Sequence, residues 1–206
     1  MKKIRRLLNP TFCKTLFILS VIILFGISCT KEYSFEGTVS TTQFSIFTNQ
    51  VPNGQTLNDQ TGGIELGVRF RSTIAGYVKG IKFYKTPGNT GTHTGQLYSF
   101  DGTLLASAVF TNETDSGWQT VVFDTDIPIA ANTTYIAAYH SSLGNYISTV
   151  FGFNIAVSNP PLTALADGAD GTNGLYKYTN TPAFPGFGFQ SSNYWVDVLV
   201  AVNGVE

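Results

Sequence analysis

Between Gly63 and Phe70, apolar residues take every second position: Ile64, Leu66, Val68 and Phe70 alternate with Glu65, Gly67, Arg69 and Arg71. A period of two belongs to a β-strand with one buried and one wet face. "GYVKGIKFYK" repeats the idea, so residues 63–70 and 76–83 share the pattern G-x-x-x-G-[VI]-[RK]-F. Two strands under similar constraints explain the repeat, because no third copy follows and stacked-repeat folds need several. Further strands are read at "QLYSF", "LLASAVFT", "WQTVVF", "TTYIAAYH", "GLYKY" and "YWVDVLVAV", with Asp101-Gly102 as a tight hairpin turn. No segment carries a sustained 3.6-residue apolar stripe, and "VSNPPLTALADGADGTNG" is too broken by Pro and Gly to hold more than one helical turn. Aromatic residues (14%) outnumber charged ones (12%), which favours sheet over helix. The expected fold is all-β: a two-sheet antiparallel β-sandwich, jelly-roll or immunoglobulin-like.

The N-terminus follows a different logic. Lys2, Lys3, Arg5, Arg6 and Lys14 surround or precede an apolar run at residues 16–27, which ends at Ser28 and Cys29. That run is shorter than the roughly 20 residues a membrane-spanning helix needs, so export and cleavage is the expected fate. A small residue followed by cysteine resembles a bacterial lipoprotein signal. Residues 1–28 are then the signal peptide, and Cys29 is the acylated first residue, a lipid anchor in the membrane. "TKEYSFEG" resembles the export tail of surface lipoproteins, which implies an outer-membrane, surface-exposed location in the cell envelope. Residues 29–42 are polar and aperiodic, as a tether would be, leaving residues 43–206 as a single β-sandwich domain.

Cleavage removes five basic residues and no acids, leaving 7 basic against 13 acidic residues, net −6. Nucleic acid is excluded as a partner on that ground, since phosphate binding needs clustered Lys and Arg. Arg69, Arg71, Lys79, Lys82 and Lys85 form the one local basic group, and alternation turns it into a solvated sheet face. Cys13 leaves with the signal and Cys29 carries the lipid, so no disulfide is expected.

Four ordered motifs carry a family likeness: G-I-[KR]-F-Y-K, G-N-T-G-T-H-T-G-x-L, the turn and strand E-T-x-S-G-W-Q-T, and N-Y-W-V-D. Over residues 44–202 the chain resembles the domain-of-unknown-function family 4082. The resemblance implies a β-sandwich module of exported bacterial proteins, often beside immunoglobulin-like repeats and polymer-active domains. It implies no reaction. Here the module is expected to stand alone on a lipid anchor.

Residues 84–95, "YKTPGNTGTHTG", look most like a site. A phosphate loop needs a closing lysine and a following helix, and neither is present. Pro87 and Gly88 turn the chain, which places His93 on an exposed loop as a candidate ligand. His93 and His140 could meet in space as a metal or catalytic pair, or each could be a hydrogen-bonded histidine. No nucleophile elbow exists, and Glu113, Asp115 and Asp197 have ordinary turn or strand roles, so no catalytic residue is assigned. Asp167, Asp170 and Asn173 sit three apart among glycines, hard oxygen donors that could hold a structural calcium ion. Trp118, Tyr139, Tyr146, Tyr176, Tyr194 and Trp195 are interspersed with amides and acids, as in sugar-binding sandwiches. The candidate ligand-binding set is Trp195, Asp197, Tyr139, His140, Tyr146 and His93. A buried Trp195 beside Asp197 would serve the fold, and an open one a ligand. The expected function is noncatalytic binding of carbohydrate or another polymer, or adhesion; the alternatives are a structural or protein-interaction role with an envelope protein, and a hydrolase of unknown type.

Overall fold

The computed structural model describes residues 39–205. The expected signal peptide, Cys29 and most of the tether lie outside the described residues. The strands run β1 Val39–Phe44, β2 Leu57–Asn58, β3 Ile64–Ser72, β4 Gly76–Lys85, β5 His93–Ser99, β6 Leu104–Val109 and β7 Gly117–Ile129. They continue as β8 Tyr135–Ser141, β9 Asn145–Tyr146, β10 Val157–Asn159, β11 Leu162–Ala164, β12 Leu175–Tyr178, β13 Phe187–Gly188 and β14 Val196–Val205. No helix occurs among the described residues.

The smaller sheet has the order β1-β14-β4-β7, and the larger β10-β11-β3-β8-β5-β6, with β12 on the flank of β3 and β13 outside it. Every pairing is antiparallel, as the expected sandwich requires. The two copies of the shared pattern belong to different sheets, β3 to the larger and β4 to the smaller. They face each other across the core: Leu66, Val68 and Phe70 from β3 pack with Val78, Ile81 and Phe83 from β4 and with Val196, Val198 and Val200 from β14. Phe83 stacks on Tyr139 of β8 at 4.3 Å between ring centroids.

Two boundaries differ from the sequence reading. The last residues of the expected tether, 39–42, belong to β1, where Thr42 pairs with Val202 and Phe44 with Val200 of β14. An edge strand can be polar because one side of its backbone faces solvent, so alternation gives it no signal. The stretch read as broken by Pro and Gly holds a hairpin instead. β10 and β11 pair around Pro160-Pro161, with Ala164 of β11 opposite Phe70 of β3.

The glycine that closes the G-N-T-G-T-H-T-G motif has a packing reason. A Cβ at Gly95 would lie 2.9 Å from both Ile81 Cβ and Val121 Cγ1 of the opposite sheet. Sandwich layers interlock tightly, so glycine here sets how closely the sheets approach.

The outer faces are not uniformly wet. Glu65 on β3 and Asp197 on β14 are both wholly buried. Residues 45–47 lie over Asp197 and residues 183–185 over the region of Glu65, seen in the bonds from the N–H groups of Ile46, Phe47 and Ala183. A loop laid on a sheet face supplies both the cover and the donors that a buried polar group requires.

Candidate functional site

"GLYKY" places Tyr176 and Tyr178 two residues apart on β12, hence on one side of it. Tyr176 pairs with Leu66 and Tyr178 with Ile64 of β3, so the tyrosines extend the inner face of the larger sheet to its edge. There a short ladder brings in two more residues. Leu57 pairs with Tyr146 and Asn58 with Asn145. Asn58 fixes the ladder by donating its amide to Asn145 Oδ1 at 2.7 Å and to the Leu143 carbonyl at 2.9 Å. Asp59 follows directly. Asp59, Tyr146, Tyr176 and Tyr178, with Ile64, Tyr194 and Phe189, line a cleft of about 210 Å³.

The hydrogen bonding is directed at Asp59. The hydroxyls of Tyr146 and Tyr178 donate to its Oδ2 at 2.8 Å and 2.7 Å. Hydrogen bonding to that carboxylate, with partial burial, pushes the Tyr178 hydroxyl up to about 12. Burial first, and Asp59 second, push Tyr146 upward too; burial raises Tyr194. All three stay protonated at neutral pH, available as donors. Tyr146 meets Tyr194 edge to face at 5.8 Å and 70°, and Tyr176 meets Tyr178 at 5.5 Å and 70°.

The rim is apolar and conformationally costly. Phe187, Phe189 and Phe151 are exposed. Phe151, Gln190 and Ser191 adopt φ values of +61°, +49° and +47°, a region that non-glycine residues rarely occupy. Bonds from Phe151 N–H to the Gln190 carbonyl and from Phe153 N–H to the Ser191 carbonyl, both 2.8 Å, hold them there. Strain of this kind gathers where a surface has a task.

The residues proposed from sequence are dispersed. Tyr146 alone of the ligand-binding set reaches the cleft. Trp195 and Asp197 lie together under residues 45–47, where Phe47 packs on Trp195 at 5.2 Å and Trp118 at 5.8 Å. Trp195 is buried and donates its indole N–H to Thr149 Oγ1 at 3.0 Å. Asp197 accepts from Ile46 and Val198 N–H at 2.7 Å each, from Phe47 N–H at 3.2 Å and from Lys82 Nζ at 3.2 Å. Burial pushes its carboxyl up, against Lys82 and the N–H groups of Ile46 and Val198, which favour the charged form. Tyr139 is wholly buried between the sheets.

His93 is not on an exposed loop. It opens β5 and is fully buried, with Nδ1 2.9 Å from Glu113 Oε1 and Nε2 2.9 Å from Asn89 Oδ1. Lys85 holds the other side of Glu113 at 2.8 Å, and Phe83 packs on the imidazole at 4.8 Å. Burial pushes the ring downward, against Glu113, favouring neutral imidazole. The preceding turn is as expected: Asn89 N–H donates to the Thr86 carbonyl at 3.0 Å across Pro87 and a Gly88 at φ +92°. The two histidines do not converge. His93 stands opposite Ser141 while His140 stands opposite Thr94, so alternation sends the rings to opposite faces of the larger sheet. His140 instead lies 3.5 Å from Glu65.

The expected calcium donors are occupied by protein groups. Asp167 accepts from Asn173 N–H at 2.7 Å and Ser191 Oγ at 2.8 Å, while Asp170 pairs with Arg71 at 2.8 Å. Asn173 turns inward, accepting from Arg69 N–H at 2.8 Å and donating to the Leu165 carbonyl at 2.6 Å. Among the described residues no three His, Cys, Asp or Glu side chains gather as metal ligands do. The basic group is likewise dispersed into pairs: Lys79 with Asp126, Lys82 with Asp197, Lys85 with Glu113, Arg71 with Asp170.

Sequence reasoning missed Asp59, Tyr178 and Phe189. The paired tyrosines of "YKY" were a usable signal, because two aromatic residues on one side of an edge strand demand cover or a ligand. Asp59, in "LNDQTGG", reads only as turn chemistry. A family model described as "Domain of unknown function (DUF4082)" matches residues 49–196. No curated protein matches the chain.

Proposed function

From the premise that this chain belongs to the DUF4082 family, we propose that it is a noncatalytic binding module, anchored by a lipid on Cys29 at the surface of the bacterial outer membrane, that holds carbohydrate or a similar polymer in the tyrosine-lined cleft. The observation that carries the reading is the cleft itself: edge-to-face aromatic walls around one oriented carboxylate, with Phe189 exposed among its lining. Binding sites combine apolar walls with a few fixed polar groups, and polymer sites extend along an open edge. Two of the three carboxylates considered for hydrolysis, Asp197 and Glu113, do not share a site. Asp197 and Glu113 are occupied by backbone donors, lysine and histidine on separate parts of the fold.

Screening the full-length, detergent-solubilised protein on an array of glycans and polysaccharides tests this. Tyr178→Ala and Phe189→Ala alter residues 44% and 53% exposed; each is expected to weaken retention about tenfold with the melting temperature nearly unchanged. An array on which nothing is retained overturns the carbohydrate reading. A protein partner is the second reading, favoured by Ile155, 76% exposed, and Val150 outside the cleft. Mass spectrometry of the mature N-terminus checks the anchor, with a diacylated Cys29 expected.

A further inference from the structure

We propose that the cleft recognises a positively charged alkylammonium group on its ligand, a protonated or methylated amine seated between the tyrosine faces and Asp59. The inference rests on the reading of the cleft as a binding site and names what the site selects.

Charge is the first argument. Four other carboxylates meet a base: Asp197 meets Lys82, Glu113 meets Lys85, Asp170 meets Arg71 and Asp126 meets Lys79. Asp59 meets only two tyrosine hydroxyls, and forms no ion pair among the described residues. Neutral donors orient Oδ2, and the carboxylate stays exposed with no protein cation paired to it among the described residues. Lys177, between the two cleft tyrosines in sequence, projects from β12 to the opposite side by alternation, pairs with Glu65 across the ladder, and its charge favours the ionised form of Glu65 instead.

The walls are the second argument. An aromatic face carries the negative lobe of a quadrupole and attracts a cation within about 6 Å. Each of the two edge-to-face pairs sets one ring at 70° to its neighbour, as the walls of a box corner are set.

The lining supplies the third. A neutral sugar is held by several donors and acceptors around its hydroxyls. Here no Asn, Gln, Lys or Arg lines the cleft, and two of its four tyrosine hydroxyls are already committed to Asp59. A cation needs neither amides nor bases.

Calorimetric titration of the full-length protein with a glucosamine hexamer and with its fully N-acetylated counterpart, at about pH 6 where the amines are charged, isolates the ammonium group on one backbone. The glucosamine hexamer is expected to bind at least about tenfold tighter, with tetramethylammonium competing against it. Asp59→Asn keeps an acceptor for the tyrosines and is expected to remove that preference, whereas Asp126→Ala, on β7 of the other sheet, retains it. Equal affinity for the two hexamers, or an Asp59→Asn protein that still prefers the amine, overturns the proposal. Retention of neutral glycans without preference for the amine overturns it while leaving the carbohydrate-binding reading intact. Binding of tetramethylammonium through Asp59 with no glycan retained supports it and removes the carbohydrate reading. Binding of none of these probes overturns it.

Discussion

Glu65 and Asp197 are both wholly buried carboxylates on sheet faces that strand alternation assigns to solvent, yet their surroundings are unequal. Asp197 accepts three backbone N–H groups and the Lys82 ammonium, which itself sits 4.9 Å from the centre of the Trp118 ring. Glu65 has longer contacts: Ala183 N–H at 3.3 Å and His140 Nδ1 at 3.5 Å, with the Gln96 amide able to donate at 2.7 Å. Burial dominates at both: it pushes Glu65 up to about 7 against His140, Ala183 and Lys177, and pushes Asp197 up against Lys82 and the N–H groups of Ile46 and Val198. Cover penalises the charged form on either face, and what differs is the set of groups that opposes it: three backbone N–H groups and an ammonium at Asp197, one backbone N–H group and an imidazole at Glu65.

The largest test of this contrast is Asp197→Ala. It strips the partner from Lys82 and from the N–H groups of Ile46 and Phe47, and is expected to cost about 3–5 kcal/mol in urea denaturation. A loss under about 1 kcal/mol would place Asp197 with surface ion pairs.

Next comes the pH dependence of Glu65. Its folded pKa lies above the unfolded value of 4.5, so the folded state binds its proton more tightly. The stabilisation is complete below about pH 4.5 and is lost as pH rises through about 7. Stability is expected to fall by on the order of 2–3 kcal/mol between about pH 5 and pH 8, and Glu65→Gln should flatten that slope. The charged or titratable neighbours of Glu65 are His140, Lys177 and Tyr98. A slope that survives Glu65→Gln would assign it elsewhere.

Gly95→Ala probes the opposite, inner face of the larger sheet. Its new Cβ meets backbone-anchored Cβ and Cγ atoms of the facing sheet, which cannot swing aside, and a loss of about 1–3 kcal/mol is expected by thermal melting. Asp126→Ala is the smallest: its pair with Lys79 is half exposed, and a change within about 0.5 kcal/mol is expected.

Much of the fold was legible in the residues. β3, β4, β7, β8 and the inner residues of β14 follow from alternation, and the β5–β6 turn at Asp101-Gly102 follows from turn chemistry, with Gly102 at φ +89°. β1 and the β10–β11 hairpin were not legible, because an edge or flanking strand is held by its backbone partner and need not alternate. The site was less legible than the fold. Tyr146 and the aromatic excess pointed toward it, but its carboxylate comes from a turn 87 residues from Tyr146 along the chain.

The sequence by itself determined an antiparallel sandwich and which residues turn inward between its sheets, since side-chain alternation and turn chemistry are local. It also determined that the chain turns at Pro87 and Gly88 between β4 and β5. Only the tertiary structure decided that His93 is buried against Glu113, that His93 and His140 occupy opposite faces, and which tyrosines surround Asp59. Those outcomes depend on strand register and on loops laid across the sheets. Neither is encoded within any one segment, because both arise from backbone pairing between residues distant in the chain.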